Sequence, residues 1–360
     1  MSNLQIGLAI AGGLVLAGVV AHSAWSARKN QPKLATPPET DDQLSAQGDE
    51  DALAVRQDPS FDGDPNLGSL SGFVLLPSLE KKPGLDALID VIAPVAVDED
   101  VSGEAALSAM PATRRAGSKP FGVEGLNIAT GVWELPSANQ RYSAFQCGVQ
   151  LANRLGALNQ IEYSEFVMKT QAFADAIDAA PEFPEMSDEV ARARELDQFA
   201  NAHDAQLSFT LRASGTAWSP GYVAQNAARL GFVAGSIPGR MVLPAHQNGG
   251  APLLGLAFDT QAAMAEDPEQ TALREVTLSL DVPQVPRSEQ PFMRMREAAT
   301  ALATNMGGTV MDDNGSMIMP VAMDVIGIDL EKLYDTLDER DLSAGSVLAR
   351  RLFRDRKSVV

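Results

Sequence analysis

The sequence predicts an α+β fold: an antiparallel sheet with helices packed on one face, preceded by a transmembrane helix at the amino end. Two strands and one helix carry the α+β reading. Ala205–Arg212 places Leu207, Phe209 and Leu211 on one face and Gln206, Ser208 and Thr210 on the other. Glu275–Val282 sets Val276, Leu278, Leu280 and Val282 against Thr277, Ser279 and Asp281. A period of two is the mark of strands buried on one side. Phe292–Asn305 predicts a helix, with Phe292, Met295, Ala299, Leu302 and then Met306 on one stripe.

The elements follow in chain order. Residues 1–5 form a short tip without Lys or Arg. The run Ile6–Ala21 has no charge and continues in apolar character to Trp25. About 20 residues at 1.5 Å each cross a hydrocarbon core of about 30 Å. Arg28, Lys29 and Lys33 follow the run. Positive flanks stay cytoplasmic, so the tip is expected outside and the remainder inside. A signal peptide needs its positive charge before the apolar run, so the segment is expected to remain uncleaved.

Residues 26–66 read as a disordered acidic linker. Glu39, Asp41, Asp42, Asp49, Glu50, Asp51, Asp58, Asp62 and Asp64 are spread among Pro, Gln, Ser and Gly, and such a segment buries too little to repay its ordering. Leu67–Leu79 is more apolar and opens an extra α+β half, residues 67–203. There Leu85–Val97 is β-rich, with Pro94 expected at an edge or a strand end. Gly103–Met110 is a short helix, Gly131–Leu135 and Ser143–Asn153 are strands, Ser164–Ala179 is a helix capped by Ser164, and Ser187–Ala202 is a polar helix.

A second half, residues 204–335, repeats the order of elements and suggests a tandem pseudo-repeat. Ser219-Pro220 opens a helix that Gly231 ends after Leu230. Arg240–Leu243 and Leu253–Phe258 are strands. Gly307-Gly308 ends the Phe292 helix, and Asn314-Gly315 predicts a hairpin between Thr309–Met311 and Ser316–Met319. Leu330–Leu337 is a helix. Residues 336–360 hold a basic helix, Leu342–Arg354, read either as a packed end with a solvated basic face or as an attachment to anionic lipid.

Composition narrows the function. Lys and Arg number 28 against 47 Asp and Glu, for a net charge of -19. Nucleic acid demands the opposite balance. The single Cys147 excludes an intramolecular disulfide and reads as a buried small hydrophobe. His22, His203 and His246 lack metal-ligand spacing, and no phosphate-cradling glycine loop appears. Gly307-Gly308 follows a helix instead of preceding one, and the Asp312-Asp313 pair is explained by the turn. No catalytic residue, metal, cofactor or small-molecule substrate is therefore expected. The cluster Met293, Met295, Met306, Met311, Met317, Met319 and Met323 reads as core filler or as an adaptable protein-binding surface. Anchor, acidic linker and catalytically silent domain together describe a tether, which acts through effective concentration.

At this point the chain resembles the ZipA family, inner-membrane anchors of the division protein FtsZ. The resemblance lies in His22-Ser23-Ala24-Trp25-Ser26-Ala27-Arg28-Lys29 at the membrane edge, in Leu230-Gly231-Phe232, in Val276-Thr277 through Val282-Pro283, and in Phe292 to Asp313 with its Gly307-Gly308-Thr309-Val310-Met311-Asp312-Asp313 ending. It spans residues 1–30 and 204–335. It implies binding of the FtsZ carboxy-terminal peptide on the exposed sheet face, at Gln206, Ser208, Ile237, Leu256, Phe258, Thr277 and Ser279. Phe258, Leu256 and Ile237 would be the apolar anchors, since interface energy concentrates in few such residues. The linker departs from the family's Pro/Gln-rich one, residues 85–200 lack a counterpart in its best-known member, and several face residues are more polar. The rival readings are an anchored envelope protein with its domain outside, such as a peptidoglycan-binding module, and an enzyme of unknown type. The flank charges favour the tether.

Overall fold

The computed structural model describes residue 33 and residues 84–246, 250–265 and 271–354. The expected membrane helix, most of the linker and Leu67–Leu79 lie outside these residues. Among the described residues, no helix is long and apolar enough to cross a membrane.

The fold is α+β, built on two antiparallel six-stranded sheets. The first half comprises β1 (Asp90–Ser102), α1 (Gly103–Ala109), β2 (Arg115–Ala116), β3 (Lys119–Asn127), β4 (Trp133–Glu134), β5 (Arg141–Gln150), a small hairpin of β6 (Ala152–Asn153) and β7 (Gly156–Ala157), α2 (Gln160–Ala176), β8 (Ala179–Pro181) and α3 (Met186–His203). The second comprises β9 (Gln206–Ala213), α4 (Pro220–Ala228), β10 (Val233–Ala234), β11 (Arg240–Leu243), β12 (Leu254–Ala257), α5 (Thr260–Ala263), β13 (Glu275–Asp281), α6 (Pro291–Met306), β14 (Gly308–Met311), α7 (Pro320–Asp338) and α8 (Val347–Leu352).

The sheet orders correspond. The first runs β2-β3-β5-β1-β8, with β4 also paired to β3, and the second β10-β11-β12-β13-β9-β14. In each, the opening strand (β1 or β9) lies between the strand that precedes the long helix region (β5 or β13) and the strand that follows the helix (β8 or β14). The cores differ in chemistry. Phe121, Phe145, Phe166 and Phe173 fill the first, with Phe145 and Phe173 edge to face at 5.5 Å. Trp218, Phe209 and Leu302 fill the second, where the Trp218 indole N–H donates to the Met306 carbonyl at 2.9 Å.

Local chemistry corrects several expectations. The α2 cap is Asn159, not Ser164. Asn159 accepts from the Ile161 and Glu162 N–H groups, and Glu162 returns the bond to the Asn159 N–H, a reciprocal capping box. Ser164 sits one turn inside and donates to the Gln160 carbonyl. Pro94 lies within β1, where its carbonyl accepts from Glu182 N–H on the β8 side. Its missing donor points the same way, beyond the three-residue β8, so no bond to β5 is lost. The strand β3 was not expected at all, because its Gly and Pro content hid it. Ser316–Met319 is not a strand, and only Met311 and Met317 bridge across the turn. The carboxy-terminal helix is confined to Val347–Leu352, while the helix expected at Leu330–Leu337 spans Pro320–Asp338. Lys33, assigned to the linker, instead donates its N–H to the Ala217 carbonyl and accepts from Ser219 N–H, beside Trp218.

Candidate functional site

The candidate site is the sheet face of the second half opposite α6. Its composition follows from register. Thr277 lies across from Thr210 on one side and Ala257 on the other, and Ser279 from Ser208 and Gly255. Met241, Leu254, Leu256 and Leu278 point into the core, so Val242, Gly255 and Ala257 fall on the open face. Gly255 keeps the centre flat, since a side chain there would meet the Ser279 Oγ at 2.8 Å. At the near edge Val233 pairs with Val242 and is exposed. The result is a shallow surface of threonines, serines and small apolar groups.

The predicted residues divide. Thr277 and Ser279 lie on the open face, and Ile237 is half exposed in the turn before β11. Gln206 and Ser208 lie there too, but they have partners. The Gln206 amide oxygen, in the orientation its hydrogen bonds require, accepts from Arg154 at 3.0 and 3.2 Å. Ser208 donates to Asp313 at 2.5 Å. Leu256 does not belong to the face: it is 1% exposed and part of the core. Phe258 is partly buried and packs against that core. The two expected face anchors are off the face by one residue, and in a strand one residue exchanges the faces. Thr210, Val242, Ala257 and Val233 were missed. The same alternation that placed Thr277 outward would have found them.

One end of the face is closed by the first half. Arg154, in the β6–β7 turn, binds both oxygens of Asp204 and both oxygens of Asp281. Burial works to lower its pKa, but the hydrogen bonds it donates to Asp281 and Asp204 outweigh it and the net shift is upward. Arg212 and Glu275 pair at 2.7 Å near the other end, both about half exposed.

The remaining polar groups serve structure. His203 closes α3, its Nδ1 2.7 Å from the Phe199 carbonyl and its ring stacked on Phe199. His246 pairs with Glu289. Cys147 is fully buried, and burial pushes its thiol up to about 12. Among the described residues, no group of three or more His, Cys, Asp or Glu is placed to hold a metal. The basic carboxy-terminal helix is partly committed, because Arg351 binds the buried Asp90 at 2.6 Å and the Gly84 carbonyl.

No curated protein matches the chain. Residues 257–326, which run from the end of β12 through β13, α6 and β14 into α7, match the family model described as ZipA, C-terminal FtsZ-binding domain, and this match supports a ZipA-family protein.

Proposed function

We propose that the chain tethers FtsZ filaments to the cytoplasmic membrane during division. The second half would take the FtsZ carboxy-terminal peptide on its open sheet face, and the Ile6–Trp25 helix would hold the complex at the inner membrane with its tip outside. The family match over residues 257–326 is the observation that carries the reading; of this face it includes Ala257 and β13 with Thr277 and Ser279. The peptide would lie across Thr277, Thr210, Ala257 and Val242, with Ile237 at the rim. A face without large apolar anchors favours a modest affinity, which tethering compensates through effective concentration.

Lys33 bears on the length of that tether. Its backbone bonds beside Trp218 leave eight residues after Trp25 to reach the domain, and these span at most about 28 Å. The domain would then sit closer to the bilayer than a free linker allows.

The deciding experiment is a pull-down of FtsZ by the full chain, using FtsZ with and without its carboxy-terminal tail. Capture that depends on the tail is expected. Equal capture of both forms, or of neither, removes the proposal.

A further inference from the structure

Lys33 is held at the carboxy end of α6 by three bonds. Its N–H donates to the Ala217 carbonyl at 2.7 Å, and its carbonyl accepts from Ser219 N–H at 2.9 Å. Its ammonium donates to the Met306 carbonyl at 2.5 Å. The seat for that ammonium is built from α6, α4 and the residue before them in space, Trp218. The buried Trp218 donates its indole N–H to the same Met306 carbonyl at 2.9 Å. The Tyr222 ring lies 5.8 Å from the ammonium, and the Tyr222 hydroxyl donates to the Asn305 carbonyl at 3.1 Å. Gly307 leaves the seat open, since a side chain there would meet the Lys33 Nζ at 2.9 Å. Carbonyls at a helix carboxy end carry partial negative charge, and an aromatic face adds to it, so the seat suits a cation.

The place of this contact along the sheet gives it a direction. Trp218 bridges Lys33 on one side and exchanges two bonds with Leu273 on the other, both at 2.8 Å. Ser214 N–H donates to the Gly307 carbonyl at 3.1 Å. All of this lies beyond Ala213, at the carboxy end of β9. The first half joins at the amino end of β9, where Gln206 pairs with Asp281 and Arg154 binds Asp281. The eight residues of β9 at about 3.3 Å each set the two ends roughly 25 Å apart.

Resting on the reading of Ile6–Trp25 as the membrane anchor, we propose that the carboxy end of α6 is a docking site for the juxtamembrane segment, with Lys33 as its positioning residue. Docked, the second half stands with the Lys33 end of β9 toward the bilayer, and the first half lies on the side away from it. Undocked, the tie to the anchor is the 58 residues 26–83, for which the sequence expectation of a coil gives about 40 Å r.m.s.. Two backbone bonds and one bond from a charged group work against closing the 50-residue loop 34–83, whose entropic cost grows with its length. The clasp is small enough to open, and opening exchanges a short, oriented tether for a long, freely turning one.

The test is energy transfer from a donor on the full chain to acceptor-labelled lipid head groups in liposomes. The native thiol, Cys147, is buried, so T304C and I128C each offer a single accessible site. Thr304 is exposed in the last turn of α6, beside the clasp. Ile128 is exposed just after β3, at the far end of the first sheet from the β6–β7 turn. The T304C donor is expected to transfer several-fold more than the I128C donor. K33E, and separately deletion of residues 30–36, are expected to bring T304C transfer at least twofold down. Equal transfer from the two sites, or T304C transfer that survives the deletion, overturns the docked arrangement. A drop on deletion without one in K33E overturns the role of the ammonium. A chain that does not float with liposomes removes the anchor instead, and hydrogen exchange of the Ser219 amide then decides the clasp. That exchange is expected to be several-fold faster after the deletion, and equal exchange overturns the clasp. Tail-dependent capture of FtsZ is read separately, so a failed peptide face leaves the clasp result standing.

Discussion

Arg154 and Asp281 join the two halves through a two-pronged ion pair. Arg154 Nη1 and Nη2 each donate to one carboxylate oxygen of Asp281 at 2.7 Å. The same guanidinium holds Asp204 through Nε and Nη2, at 2.8 and 2.6 Å. One planar cation thus fixes the start of β9 and the end of β13 against the β6–β7 turn. Its side chain is only 11% exposed. A planar fork of donors suits this geometry, and a lysine does not.

Arg154→Ala is expected to destabilise the fold by about 2–4 kcal/mol, because it takes the shared cation away from two half-buried carboxylates. Arg154→Lys should recover less than half of that. Urea unfolding of the three chains checks both figures. An Arg154→Lys midpoint equal to wild type would show that charge alone, and not the fork, holds the junction.

The open face and the core behind it make opposite predictions. Thr277→Lys projects a bulky charge from the middle of the face and is expected to weaken FtsZ peptide binding at least about tenfold, while stability changes by less than about 0.5 kcal/mol. Leu256→Ala empties core volume and is expected to cost about 2–5 kcal/mol. Calorimetric titration with the peptide, paired with thermal unfolding, separates the two. Undiminished binding by Thr277→Lys would move the site off this face.

How much of this was legible follows from which signals are local. The strands β9 and β13 read directly from their period of two, and α6 from its stripe and its Gly307 stop. Ser219 caps α4 as its sequence suggests. The face implied by the resemblance does not hold at Leu256 and Phe258, because both share the core side of β12 with Leu254, and a shift of one residue along a strand exchanges its faces. The strand β3 was hidden because its neighbours, and not its residues, make it a strand: Gly122 and Gly125 pair with β5. Nothing local announces that Arg154 will meet residues 50 and 127 positions away. The correspondence of the two sheet orders was suggested by element order, but strand pairing fixes it.

Cys147 offers a probe of the first half. Its thiol is fully buried in β5, and burial pushes its pKa up to about 12. The reactive species is the thiolate, so at pH 8 a thiol reagent is expected to label the chain only through unfolding. Labelling should become immediate in denaturing urea. Fast labelling of the native chain would place Cys147 at an opening segment instead of in the core.

Asp90 should give the first half a pH signature. Burial is the leading influence on it and raises its pKa above 3.8, against the opposing attraction of Arg351. A carboxyl with a raised folded pKa binds its proton more tightly in the native state than in the unfolded one. Its contribution to stability is therefore fully present below pH 3.8 and is lost as pH rises through the folded pKa. Asp90→Asn removes that titration and keeps a side chain of the same shape. The stability of the wild type relative to Asp90→Asn is expected to increase as pH falls from 7 toward 4, read as the difference in urea midpoints at each pH. A difference that stays flat, or that grows toward neutral pH, would mean that the Arg351 pair, at 2.6 Å, outweighs burial and holds the carboxylate charged throughout.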